Sequence, residues 1–186
     1  RDTYLEVNLD HIAHNVRVLK ARVGENVDLC AVLKADAYST GAIEVAPTIF
    51  GNGAYYLAVA TLSEALELRE SSDAYRILVI GRTPDDTLGV AVQNNIALTV
   101  ATYEQALLLS ELGRKYSKTP VVHIKYNTGM NRLGFDYGNE SIARIEQLCK
   151  IRGINVEGIF SHFALNGPEE DRKQYERLCY AVDQIY

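Results

Sequence analysis

Short apolar, β-branched runs alternate along this chain with longer stretches of helical period, and the alternation repeats six times. The runs are residues 28–34, 56–60, 76–80, 96–100, 120–126 and 154–161. Their length and composition fit strands buried on both faces, and the stretches between them fit amphipathic helices. Strands separated by helical crossovers run parallel and are covered by those helices. Two architectures satisfy this pattern, a doubly wound sheet and a TIM-type (β/α)8 barrel. The glycine fingerprint of dinucleotide-binding sheets is absent, because the turn after the first run reads Lys34-Ala35-Asp36-Ala37-Tyr38. That favours the barrel, with the sheet kept as the alternative. A closed barrel takes eight units and six are counted here, so the segment is expected to stop before closure, with two free sheet edges.

Local signals refine the outline. Residues 4–9 alternate apolar with polar and predict a half-buried strand, with Asp10 capping a helix on which Ile12, Val16 and Leu19 share a face. A helix is expected over residues 41–50, although Pro47 falls inside it. Thr61 and Glu64 form a capping-box pair at the head of a helix through Glu70, and Thr102 caps another through about Tyr116. A short helix from Pro84, one over residues 141–151 and one from Glu169 to the end complete the pattern. Residues 1–27 are therefore read as a lead-in strand and helix, and residues 28–186 as the partial barrel.

Composition excludes several function classes. A chain of 186 residues with 47% hydrophobic and 23% charged residues has the make-up of an ordinary globular domain. Its formal charge of −5 disfavours nucleic acid as the main partner, since phosphate backbones need a basic surface. No apolar run approaches the roughly 20 residues needed to cross a bilayer, and no signal segment opens the chain. A cytoplasmic protein is expected. Cys30, Cys149 and Cys179 are odd in number and widely spaced, which argues against a disulfide framework and a zinc site and for buried thiols. No metal is expected.

Residues with chemical potential cluster at strand ends. Lys34 closes the first buried run, on the active-site side of any parallel α/β fold. An amine desolvated there is suited to condense with an aldehyde, whereas a rim lysine would snorkel to solvent. Position alone leaves both readings open. Tyr38, four residues on, offers a hydroxyl to a phosphate or packs on the rim. After the fifth run, Gly129 and Gly134 bracket Arg132, a candidate partner for a carboxylate or phosphate. His162 ends the sixth run and could face an aromatic cofactor or move a proton. His123, inside the fifth run, is read as structural. Together these positions suggest a pocket for an anionic, carbonyl-type ligand.

The stretch Ala31-Val32-Leu33-Lys34-Ala35-Asp36-Ala37-Tyr38 resembles the pyridoxal-phosphate attachment motif of the alanine racemase family. The opening residues 4–12 with Asn15, residues 125–135 and residues 156–163 resemble further segments of the same family, in the same order, so the likeness spans essentially the whole chain. The resemblance implies a (β/α)8 barrel followed by a β domain, in a cytoplasmic homodimer that supplies D-alanine for peptidoglycan precursors. It implies that Lys34 holds pyridoxal 5'-phosphate covalently and acts as one of two proton-transfer bases, with the second from the partner subunit. By the same likeness Tyr38 bonds the cofactor phosphate, Arg132 places the substrate carboxylate and His162 lies beside the pyridine ring. Lys125 matches a lysine that is carbamylated in some members. The sequence departs from the family at Ser39-Thr40, commonly Gly-His, and at Asn127, commonly Asp. Substrate identity, alanine against serine or another amino acid, stays open. So does a non-catalytic barrel that only stores the cofactor.

Overall fold

The computed structural model describes residues 3–185, and these divide after Gly81 into two compact units. The first unit opens on helix α1 (Leu9–Val23) and continues through strand β1 (Leu29–Val32), the turn α2 (Lys34–Ser39), helix α3 (Ala42–Gly51), strand β2 (Ala54–Val59), helix α4 (Leu62–Ser71) and strand β3 (Ile77–Val79). β2 is central and pairs in parallel with β1 and with β3. Leu57, Ala58 and Val59 are wholly buried, and α3 and α4 contribute Val45, Ala46, Ala65 and Leu68 to the core. α1 packs on α3. Helix α3 runs through Pro47 without ending there.

The second unit comprises α5 (Leu88–Gln93), β4 (Ala97–Val100), α6 (Tyr103–Tyr116), β5 (Val121–Asn127), β6 (Phe135–Asp136), α7 (Asn139–Cys149), β7 (Asn155–Phe160) and α8 (Pro168–Ile185). β5 is its centre, parallel to β4 on one side and to β7 on the other. Leu98, Val100, Val122, Ile124, Leu109, Ile145 and Leu148 are 0 to 1% exposed and make the core. The two-residue strand β6 runs parallel to the last two residues of β5, a feature the sequence pattern does not announce. α8 reaches Ile185, and Tyr186, the expected helix end, lies outside the described residues.

Three expectations need correction. Residues 3–8 carry no regular structure where a strand was expected at residues 4–9. An alternating pattern specifies a strand only where a neighbour supplies the ladder, and no described residue does so here. The helix that follows starts at Leu9 and is capped by Asn8, whose side chain accepts the His11 N–H at 3.1 Å, rather than by Asp10. The cysteines form no disulfide, yet Cys30 and Cys149 are exposed rather than buried. Cys30 sits on β1, the end strand of its unit, where alternate side chains face outward.

Candidate active site

Lys34 lies two residues beyond the last residue of β1. The ladder holds to Val32 opposite Ala58, and the Leu33 N–H still donates to the Ala58 carbonyl at 2.7 Å. Past Lys34 the backbone reverses its hand. Ala35, Asp36, Ala37, Tyr38 and Ser39 all have φ between 50° and 69°, so the turn labelled α2 is left-handed. None of the five is glycine, and each such residue costs about 1 kcal/mol or more. Local bonds offset this: Ala37 N–H to Leu33 O at 2.8 Å, Gly41 N–H to Asp36 O at 3.1 Å, Thr40 Oγ1 to Ala37 O at 2.6 Å and Ala42 N–H to Asp36 Oδ1 at 2.7 Å. The Lys34 side chain is half-buried, and Tyr38 is 63% exposed. Among the described residues, no carboxylate pairs with the Lys34 amine.

Glu64 extends the predicted capping box. Its Oε2 accepts the N–H groups of Thr61 at 3.0 Å and Ala60 at 2.8 Å, while Oε1 accepts the Ala35 N–H at 2.6 Å. Partial burial pushes the Glu64 carboxyl up, but the amides of Ala35, Thr61 and Ala60 and the Thr61 hydroxyl outweigh it and hold the group below its ordinary value. The capping pattern was visible in the sequence. The bond from Glu64 to the residue after Lys34 was not, because it joins positions 29 apart.

In the second unit, Lys125 projects from β5 and is only 6% exposed. Its Nζ stands 4.6 Å from the centre of the Phe160 ring on β7, in register opposite. No carboxylate among the described residues neutralises it. Burial, and then the Arg132 guanidinium, pull its amine down to about 8. Arg132 is exposed on the loop after β5. Asn127 organises that loop: its Oδ1 accepts the N–H groups of Gly129 at 3.1 Å and Asn131 at 2.9 Å. Its Nδ2 donates to Asn131 Oδ1 at 3.0 Å and Asp136 Oδ1 at 2.8 Å. Gly134, at φ 121°, lets the chain fold back against β5. A Cβ there would lie 2.6 Å from the Lys125 carbonyl oxygen.

His162 follows β7 by two residues and is exposed. It borders a small cleft of about 70 Å³ with Thr128, Ser161 and Gln174. Thr128 Oγ1 and Ser161 Oγ lie 2.7 Å apart, so the loops after β5 and β7 are tied together. Arg177 of α8 donates to the Thr128 carbonyl at 2.7 Å and Gln174 accepts the Ala164 N–H at 3.0 Å, which fixes both loops from the helix side. Thus one unit holds Lys34 with Tyr38, and the other holds Lys125, Arg132 and His162. His123 bonds Glu157 at 3.2 Å across β5 and β7, where Glu157 and burial of the ring account for it as structural.

Parallel strand–helix units, one carrying a strand-end lysine with a left-handed turn and the other an arginine loop, place the chain in the α/β class. The family model described as alanine racemase, N-terminal domain, matches residues 7–186. Alanine racemase 2 of Caldanaerobacter subterraneus subsp. tengcongensis is 41% identical over 188 residues, covering 100% of this chain and 48% of that protein. The solved alanine racemase of Clostridium difficile in complex with cycloserine has a TM-score of 0.89 at 35% identity, covering 96% of this chain and 49% of that one. The Bacillus anthracis alanine racemase with bound L-Ala-P also reaches 0.89, at 32% identity, covering 100% of this chain and 48% of that one. The chain belongs to the alanine racemase family, within that family's N-terminal domain. It spans about half the length of the curated relatives it matches. The α/β barrel class expected from strand–helix alternation is thereby shown.

Proposed function

We propose that this chain is the cofactor-bearing part of an amino-acid racemase that interconverts L- and D-alanine, with pyridoxal 5'-phosphate on Lys34. The observation that carries the reading is the place of Lys34. It is a half-buried amine just past the β1 ladder, without a carboxylate partner among the described residues, in a chain matched along its length by alanine racemases. The residues fit such a group. An unpaired amine at a strand end is available to an aldehyde, and a buried Lys125 beside Arg132 is a cationic site waiting for an anion.

Pyridoxal phosphate, when bound, supplies an electron sink that acidifies the α-hydrogen of an amino acid. Lys34 would hold it and would move a proton on one face of the substrate α-carbon. Tyr38 would donate its hydroxyl to the phosphate, Arg132 would pair with the substrate carboxylate, and His162 would serve the cofactor ring. The depressed Lys125 amine is nucleophilic near neutral pH. The ammonium first gives up one proton, and the neutral amine then adds to carbon dioxide and releases a second, which converts the buried cation into a carbamate able to hold Arg132. Alanine as substrate is supported by the cycloserine and L-Ala-P complexes of two relatives. Residues 1–27 serve as the lead-in to the barrel of residues 28–186, with residues 4–9 completing a sheet in a following β domain. A cytoplasmic homodimer whose partner subunit supplies the second base completes the reading.

The test is a protein of the relatives' full length containing this sequence. It is expected to be yellow, to convert L-alanine to D-alanine, and to lose both properties in Lys34→Ala. A colourless intact protein overturns the proposal.

A further inference from the structure

We infer that Glu64 is a positioning residue for Lys34, acting through the backbone N–H of Ala35. The inference rests on the reading of Lys34 as the cofactor lysine. A capping box needs Glu64 to bond only the Thr61 N–H. Here the carboxylate makes two further bonds, each to the residue that leaves the sheet: Ala60, directly after β2, and Ala35, directly after Lys34. The Ala35 bond is the shortest of the three at 2.6 Å. It also falls on the first residue of the left-handed run, where the chain has just left the ladder and each residue is in an unfavourable backbone region. Leu33 is held on one side of Lys34 by the Ala58 carbonyl, and Ala35 on the other by Glu64. The Cα of Lys34 is thus clamped from both sides, by two neighbouring strand ends and the head of α4. The amine is left to search only its own side-chain torsions, which is how a reacting group is kept close to its productive position. Glu64 is charged at neutral pH, as the three amide bonds require.

The test uses the full-length holoenzyme and four variants. Glu64→Gln cannot accept all three amides. Replacing Ala35 by L-lactic acid deletes only the donor and leaves the cap intact. Thr61→Ala removes the capping hydroxyl and keeps the Ala35 bond. Lys34→Ala tests the parent reading. Glu64→Gln and the lactate protein are expected to lower kcat about tenfold with KM within about twofold. Both are expected to shift the pH at which the visible band of the bound cofactor titrates. In cofactor-free protein, Glu64→Gln raises amide exchange at Ala35 about tenfold while Thr61→Ala does not. If Glu64→Gln does not fold, the lactate protein decides. An unchanged visible titration and kcat in the lactate protein overturns the inference, as does an equal loss in Thr61→Ala. Retention of the visible band in Lys34→Ala overturns the parent reading instead, whatever Glu64 does.

Discussion

Lys125 enters the interior from β5 with the Phe160 ring, not a carboxylate, against its amine. Its folded value of about 8 lies below the ordinary 10.5, so between these values the unfolded chain binds a proton that the folded chain does not. Stability in carbon-dioxide-free buffer is therefore expected to rise with pH across that window, by on the order of 3 kcal/mol, and the full penalty is present below it. Lys125→Met is expected to flatten the rise, and bicarbonate to stabilise the wild type near neutral pH. Urea unfolding across the window checks both, and a flat wild-type profile contradicts them. Asn127 makes a second residue-scale case. Its Nδ2 donates to Asp136, so the aspartate common in the family would here face a carboxylate. Asn127→Asp is expected to cost about 1–3 kcal/mol, with the loss growing as pH rises through the carboxylate range. Adding Asp136→Asn restores a donor and recovers most of it. Equal stability of the single and double variants in denaturant titrations contradicts the assignment. Lys34 and Arg132 were legible from the sequence as charged residues at or beyond the ends of apolar runs, and Lys125 only through the family resemblance. That Phe160 meets Lys125 and Asp136 meets Asn127 was not, because both pairs come together through strand register rather than local spacing.

At the level of elements, strands and helices followed from period and caps. Thr61 and Thr102 cap the helices they were expected to cap. The failures share a cause. Residues 4–9 have strand patterning without a ladder, β6 is too short to have a pattern, and the left-handed turn occupies residues with ordinary right-handed preferences. In each case hydrophobic period is no guide, because it records burial and not strand pairing or backbone hand. Gly134 shows the converse, since one residue permits an element. Its φ of 121° and the nearness of the Lys125 carbonyl let the loop carrying Arg132 return as β6. Gly134→Ala is expected to destabilise by at least about 2 kcal/mol, combining an unfavourable backbone region with a clash. In the full-length enzyme it is also expected to raise KM for alanine more than it lowers kcat, because the Arg132 loop moves. Denaturant midpoints and steady-state kinetics check this, and an unchanged KM would assign Arg132 another role.

For the whole molecule, the governing fact is that these residues match about half of each relative's length. Racemisation requires a proton to leave one face of the α-carbon and return to the other. Under the proposed roles this chain contributes one amine, Lys34, on one face. Arg132 is already committed to a carboxylate, and Tyr38 to a phosphate. The remaining candidate, His162, is assigned to the cofactor ring and not to the α-carbon, and its exposed imidazole borders Thr128, Ser161 and Gln174. The 186 residues by themselves are therefore expected to give no measurable D-alanine from L-alanine with added cofactor, even where circular dichroism shows native helix content. Borohydride reduction followed by peptide mapping is still expected to label Lys34, because that step draws on β1, the left-handed turn and Glu64, which lie in one compact unit. Label on Lys34 without turnover separates anchoring from catalysis. Turnover by the segment would mean that a second base lies within these residues, and the assignment of a single proton-transfer face to this chain would have to be abandoned.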